Sequence, residues 1–402
     1  MTELIAVFLL GVVLGTVSGL IPGIHANTMA GILLSVQTVI LAVFGETAMA
    51  VSLLSALIVH TFLDIVPGTF FGIPDADTAL SVLPAHSLCL QGRGEEAVRI
   101  SAVGSAWGAV FSLPVFALFL VILPALQPYV DWWIGIILIG VAGALIVYSE
   151  SPEWSFAVFI VSGALGLFAF QHSYLAWHSL GNSSILMPLL TGLFGISVLI
   201  MSSPGEMPEQ THSGITMSRR EIIKTGIAGT VAGSVVGWLP GLSNASANAV
   251  LGSLIHLEKD REGFIAATSA ANTSNAFISL AALYAVSRMR NGVMAAIAES
   301  EQMPPITFLL FFGFCAAVSG FILTILFSKT GRIFAGINVR NLSYGIIAFM
   351  TILTFALTGP FGILILILAS VTGIVPQIVN IRRIYCMGAV MLPVILWSFS
   401  IL

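Results

Sequence analysis

The chain has 402 residues, 57% of them hydrophobic and only 8% charged, with a mean hydropathy of +1.05. That much apolar sequence excludes an ordinary water-soluble domain and asks for many bilayer crossings. The net charge of −4 is small and diffuse, which argues against a nucleic-acid partner.

The first apolar span runs from residue 4 to 21 and has no basic leader, so it is expected to be a membrane segment rather than a cleaved signal. Pro22-Gly23 ends it, and a second span follows from about 28 to 44. The next, from 47 to 64, ends in DIVPGTFFGIPDADT, residues 64–78, where Pro67-Gly68 is expected to break the helix. A short apolar piece reaches Leu90, and QGRGEEAVR (91–99) is the first charged loop. Spans are expected at 100–123, 133–148, 154–170 and 185–201. The polar stretch 202–221 reads as a linker. Beyond it lie a span at 222–239, a break at Pro240-Gly241, and a helix to Leu257. A segment at 264–287 follows, expected to be interrupted by Asn272, Thr273, Ser274 and Asn275. The last spans are 306–327, 341–358, 361–379 and 384–402.

The chain repeats itself. GTVSGLIPGIHANT (15–28) and GSVVGWLPGLSNASAN (233–248) share the frame G-x-x-x-G-x-x-P-G. A weaker echo links QGRGEEAVRI (91–100) with MRNGVMAAI (289–297). Basic residues gather near Arg93/Arg99, Arg219/Arg220/Lys224, Lys259/Arg261, Lys329/Arg332/Arg340 and Arg382/Arg383; the loops near Glu46, 171–184, 299–305 and Thr358 carry none. Basic loops placed inside give one consistent path. Arg288 and Arg290 then fall outside, against the trend, and the acidic loop 149–153 falls inside. The expected fold is an all-α polytopic membrane protein of the cell membrane. It has an N-terminal repeat (1–201), a cytoplasmic linker (202–221) and a C-terminal repeat (222–402) of inverted topology. Each repeat has a Pro-Gly-broken re-entrant or hairpin segment and about five crossings.

Polar groups are costly within hydrocarbon, so those present are candidates for function. His25, Asn27 and Thr28 follow the first Pro-Gly; Ser243, Asn244, Ser246 and Asn248 follow the second. With Asn272, Thr273 and Asn275 they read as binding groups for an anion, since helix N-termini offer free amide protons and partial positive charge. The alternative is hydrogen bonding between packed helices. Asp64, Asp75 and Asp77 read as cation- or proton-coupling carboxylates, or, for Asp75 and Asp77, as caps of the helix after Pro74. His60 and Asp64 lie four apart and read as a structural contact rather than a metal site. His172, Tyr174, Trp177 and His178 read as an interfacial belt. Cys89, Cys315 and Cys386 lie far apart in apolar surroundings and read as small core residues. No H-E-x-x-H, G-x-S-x-G or P-loop pattern occurs, so no enzyme, metal or cofactor is expected.

The paired Pro-Gly breaks, the segment VPGTFFGIPDADTALSVLPAHSLCLQGRGEEAVRISAVGS (66–105) and the later NTSNA resemble the TctA family, the large membrane subunit of tripartite tricarboxylate transporters. The resemblance covers most of the chain and is nearest to divergent, stand-alone archaeal members, because His25-Ala26-Asn27-Thr28 stands where the bacterial permeases continue with glycine. It implies cation-coupled uptake of citrate or a similar carboxylate, with a small membrane subunit and an extracytoplasmic solute-binding protein as partners. It leaves the substrate of this chain open. Two other classes fit parts of the pattern: a translocase of a phosphorylated polyprenyl carrier, gripping phosphate with the same helix ends, and a channel, which lacks the expected charged ring.

Overall fold

A computed structural model describes residues 2–21, 45–72, 79–177, 185–201, 208–212, 214–239, 260–298, 303–333 and 338–401. Among these residues the principal elements are helices: α1 (Thr2–Leu20), α2 (Glu46–Leu63), α3 (Ile65–Phe71), α4 (Ala79–Cys89), α5 (Gly94–Val147) and α6 (Pro152–Gln171). Next comes α7 (Leu186–Leu190), which continues through a π turn at Thr191–Ile196, followed by α8 (Arg219–Trp238) and α9 (Arg261–Val286). The last are α10 (Gly292–Ala298), α11 (Ile306–Phe327), α12 (Val339–Ile378) and α13 (Gly388–Ser398). Among the described residues five segments are long and apolar enough to cross a bilayer: Glu46–Phe71, Gly94–Val147, Pro152–Gln171, Ile306–Arg332 and Ser343–Ile378. The chain is therefore an all-α polytopic membrane protein.

Three boundaries differ from expectation. Pro67 and Gly68 lie inside α3, and the interruption falls earlier, at Asp64, with the end at Gly72 in left-handed conformation (φ 66°). Proline lacks an amide proton, so it costs the helix the bond to the carbonyl four residues back; that disturbs the turn before it rather than the turn after. The Asn272–Asn275 stretch does not interrupt α9, which is continuous. Its polar side chains find partners without melting the backbone: Ser274 Oγ donates to Ala271 O and Asn272 donates to Asp64. Finally, the spans expected at 100–123 and 133–148 form one 54-residue helix, α5. At about 1.5 Å per residue such a helix runs about 80 Å, well beyond a ~30 Å hydrocarbon core. Pro114, Pro124 and Pro128 lie within it, the residue type at which long helices bend. By contrast, α12 departs from helical backbone at Gly359 (φ 68°, ψ −160°), between the two spans expected there.

Packing divides the described residues between two main hydrophobic cores. The first is built from α2, α3, α4, the Ala97–Phe116 part of α5, α9, α10 and α11, with α1 laid against it. The second takes Ile134–Ala142 of α5, α6, the 185–194 segment, Phe361–Ala369 of α12 and the 381–395 segment. Among the described residues α5 alone contributes buried residues to both. Each core therefore draws on segments before and after the polar stretch 202–221. At the centre of the first is α2, buried from Ala48 to Leu63.

Glycines set two close helix pairs. A Cβ on Gly15 would lie 2.5 Å from Ala56 O, and one on Gly19 would lie 2.7 Å from Leu63 Cβ; Gly11 abuts Ser52. So α1 runs parallel to α2. In the same way Gly229 abuts Ala267, Gly233 abuts Ala271, and a Cβ on Gly237 would lie 2.9 Å from Ile278 Cβ, so α8 runs parallel to α9. Small residues at i, i+4 and i+8 let two backbones approach in this way. The α2 helix also runs parallel to α11, whose Gly320 meets Phe62 and whose Gly313 meets Ile58. Because α11 ends, and α9 begins, at the same charged end of the bundle, α2 and α9 run in opposite directions.

That charged end gathers loops assigned to one side by their basic residues. Arg93 bonds Glu96 and Glu262, both at 2.7 Å, and Glu95 bonds Arg332 at 2.9 Å and Arg99 at 2.5 Å. Elsewhere Arg382 meets Glu150 at 2.9 Å, which seats the acidic loop 149–153 against a basic one. At the opposite end Arg288 pairs with Asp131. That arginine is an exception to the basic-loop trend, and its charge is offset by a neighbouring acid.

Candidate functional site

Four buried polar side chains that include a carboxylate meet where α2 crosses α9. Thr61 and Asp64 lie three residues apart on α2 and its end, hence on one face. Asn272 and Thr273 are neighbours on α9. Asn272 Nδ2 donates to Asp64 Oδ2 at 2.6 Å, and the hydroxyls of Thr61 and Thr273 lie 3.1 Å apart. All four residues are at most 5% exposed. Thr61 Oγ1 also donates to Ile58 O at 2.8 Å, which leaves its lone pairs turned to the crossing. Thr324 of α11 donates to Phe62 O at 3.0 Å and ties the turn before Asp64 to a third helix.

Flanking groups extend this polar seam along both glycine-packed pairs. His60 Nδ1 lies 3.0 Å from Ser18 Oγ on α1. Asn275, half-buried on α9, accepts from Ser279 Oγ at 3.3 Å. The seam therefore links α1, α2, α9 and α11. Asp64, Asn272 and Thr273 were candidates from sequence, and the structure brings the three together; Asn275 lies one turn away. Thr61 was missed. Its only sequence signal is its position three residues before Asp64.

Pro22, Gly23, His25, Asn27, Thr28, Asp75, Asp77, Pro240, Gly241, Ser243, Asn244, Ser246 and Asn248 lie outside the described residues. The helices that lead to them are described. Ile21, after α1, immediately precedes Pro22, and Leu239, after α8, immediately precedes Pro240. Trp238 Nε1 donates to Gln127 Oε1 at 2.7 Å, and Gln127 Nε2 donates to Asp131 Oδ2 at 2.7 Å, so the end of α8 is anchored to the Asp131–Arg288 pair.

The charged end is a second constellation that sequence did not assemble. Glu95 and Glu96 are 1% and 0% exposed, so each needs full pairing. Glu96 Oε1 accepts from Thr216 N at 2.9 Å and from Thr216 Oγ1 at 2.7 Å. Gln210 accepts from Gly94 N at 2.7 Å and donates to Cys89 O at 3.1 Å. The linker is thus stitched to the first charged turn. The hydrogen bond that Arg93 donates to the Glu96 carboxylate, ahead of all other influences, raises the Arg93 pKa above its ordinary value. Among the described residues no group of three or more His, Cys, Asp or Glu gathers as a metal site. Cys89 and Cys386 are buried and Cys315 is half-buried, none of them in a disulfide.

Residues 5–388 match the family described as "Tripartite tricarboxylate transporter TctA family". A relative in Methanocaldococcus jannaschii, named "Uncharacterized protein MJ1079", is 31% identical over 296 residues, covering 72% of this chain and 71% of its own. No solved structure matches the chain. With the family match spanning nearly the whole sequence, over helices built to cross a bilayer, the chain belongs to the TctA family of tripartite tricarboxylate transporters and is a membrane transport protein.

Proposed function

We propose that this chain is the permease of a secondary transporter that carries a small organic anion, a di- or tricarboxylate, driven by a coupled Na⁺ or H⁺. The observation that carries the reading is the buried seam of Asp64, Asn272, Thr61 and Thr273 between two helices, each packed in parallel on a glycine-striped helix that leads to a Pro-Gly pair. Polar groups kept at this depth mark ion and substrate paths. The anion is held by freed amides and by His25, Asn27, Thr28, Ser243, Asn244, Ser246 and Asn248, with Asn272, Thr273 and Asn275 beside them. Asp64, Asp75 and Asp77 serve the cation.

The segments 1–201 and 222–402 form inverted repeats joined by the linker 202–221. Two oppositely directed parallel pairs, α1 with α2 and α8 with α9, support that reading. A small membrane subunit and an extracytoplasmic solute-binding protein complete the system in the cell membrane. The test is uptake into proteoliposomes of labelled citrate, succinate and malate under an inward Na⁺ or proton gradient. Gradient-dependent accumulation of at least one is expected. Folded protein that accumulates none, yet moves a polyprenyl phosphate between leaflets, overturns the anion reading in favour of the lipid-carrier translocase.

A further inference from the structure

We propose that this chain works as two rigid bodies, each assembled from both halves of the sequence, and that the body holding the polar seam shifts against the other as α5 bends between Leu120 and Val130. This rests on the transporter reading above and specifies its conformational step. The bodies follow from the two cores. The first comprises α1 to α4, α5 up to Leu120, and α8 to α11; the second comprises α5 from Val130, α6, α7, α12 and α13. Close glycine contacts lock each body across the halves. Gly104 and Gly108 of α5 abut the backbone of Ala266 and Ala270 of α9 in the first, while Gly166 abuts Ala389 and Gly373 abuts Leu193 in the second. Interdigitated backbones of this kind do not part without losing the packing of both helices. Rocking of one half against the other would have to open all four contacts. No contact of a described glycine joins one body to the other. The bend in α5 is built differently. Leu123 is its only buried residue, and Pro124 and Pro128 withdraw two helical hydrogen bonds there. Two side-chain links reach across from the first body, Trp238 to Gln127 and Arg288 to Asp131, and Asp131 is 47% exposed, so water can replace its partner. Leu239, at the end of α8, rests on the second core through an apolar contact that can slide.

The aromatic residues show which body stays in place. Among the described residues every exposed Trp or Tyr belongs to the second body or to the α5 bend, among them Tyr129, Trp132, Trp154, Tyr174, Tyr344 and Trp397. Trp107, Trp238 and Tyr284 of the first body are half-buried. Indole and phenol rings settle at the boundary of lipid and water and fix the depth of whatever carries them. The second body is anchored in this way, and the first is free to change depth. The first also carries the buried carboxylates Asp64, Glu95 and Glu96, whereas among the described residues the second buries none. The linker travels with the first body, since Gln210 holds Gly94 and Thr216 holds Glu96. The moving unit is therefore not a repeat. It is a composite of both repeats, and the boundary of motion cuts across the duplication.

The experiment measures distances between spin labels on the full-length protein in lipid nanodiscs, with its three cysteines replaced and gel filtration as the check on folding. Gln91, Glu153 and Lys224 are exposed and take the labels. Gln91 and Lys224 lie in different halves but one body; Gln91 and Glu153 lie in one half but different bodies. Distances are read in choline chloride, in NaCl, and in NaCl with citrate, succinate or malate. The Gln91–Glu153 distance should shift between conditions or split into two populations, while Gln91–Lys224 stays single and constant. Movement of Gln91–Lys224, with or without the other pair, overturns the inference in favour of rocking halves. Two fixed pairs in every condition overturn it as well. Should the labelled proteins not fold, a covalent tie decides. Ser101→Cys with Ser269→Cys joins the halves inside the first body, where the two hydroxyls lie 2.8 Å apart. Oxidation to the disulfide should leave the rate of carboxylate uptake unchanged; loss of uptake that reduction restores overturns the inference. Movement of Gln91–Glu153 without uptake of any carboxylate would sink the anion reading and spare the two bodies. Uptake with both pairs fixed would do the reverse.

Discussion

At the scale of the residue, the cost of a polar group in hydrocarbon made Asp64 and the Asn272–Asn275 stretch stand out in the sequence. Their meeting did not stand out. Asp64 and Asn272 are 208 residues apart, and no local pattern joins a threonine on one helix to a threonine on another. The same blindness applies to the charged end, where the row of acids and bases at 91–99 reads as a solvated loop. In the structure Glu95 and Glu96 are buried and need every partner they have. Arg93 gives one hydrogen bond to Glu96 and one to Glu262. Arg93→Ala leaves Glu96 with Thr216 and a half-exposed His212 at 3.7 Å. Breaking a fully buried pair costs about 3–5 kcal/mol. Arg93 keeps 27% exposure, so water can replace part of what it gave, and about 2 kcal/mol is expected. A fall in Tm that high salt does not reproduce in the wild type is the measurement. An unchanged Tm would mean that Thr216 and water suffice for Glu96.

At the scale of the element, apolar length placed nearly every helix, because hydropathy reports burial in lipid directly. Segments read at 306–327 and 222–239 became Ile306–Phe327 and Arg219–Trp238. The interruptions expected at Pro67-Gly68 and Asn272–Asn275 did not appear there. Proline and glycine mark where a helix can break, and whether it does depends on neighbours that supply or withhold hydrogen bonds. Pro67-Gly68 stayed helical, while Gly359 did not. The glycine stripes were legible as a repeated frame but not as contacts. They now carry a prediction. Gly233→Ala puts a methyl group into Ala271 O and Ser274 Oγ, backbone and side chain of a packed helix that have no room to move. Overpacking of this kind costs about 1–3 kcal/mol, more than the roughly 1 kcal/mol that alanine gains over glycine in a helix. Gly15→Ala meets Ala56 O and should behave alike. Gly140→Ala meets nothing within 4 Å and should be neutral or slightly stabilising. Melting curves of the three variants in detergent test this. Equal Tm values across the set would show that the helix pairs are looser than their contacts imply.

At the scale of the whole molecule, the order of spans along the chain suggests two consecutive halves, yet each hydrophobic core mixes segments from both. Sequence could not reveal that, since it fixes which faces are apolar and not which faces meet. The loops are a different matter, because charge sorts them by side. Four ion pairs tie distant segments together: Arg93 with Glu262, Glu95 with Arg332 and Glu150 with Arg382 join segments read on the same side, and Asp131, inside α5, meets Arg288. A hydrogen bond joins the uncharged outer loops, where Trp177 N donates to Thr358 O at 3.2 Å. The linker residue Gly214 is exposed close to Thr216, hence at the charged end, and Ser173 is exposed beside Trp177 at the other. In a background with its three cysteines replaced, a cysteine at Ser173 should react with an impermeant maleimide on intact cells. One at Gly214 should react only after the membrane is opened. Both positions are exposed, and neither belongs to a hydrophobic core. Reaction of both from outside would place the Arg93–Glu262 knot and the Trp177 loop on one face of the membrane. The opposed directions of α2 and α9 would then have to arise without an inverted repeat, and the shared frame of Gly15–Gly23 and Gly233–Gly241 would need another origin.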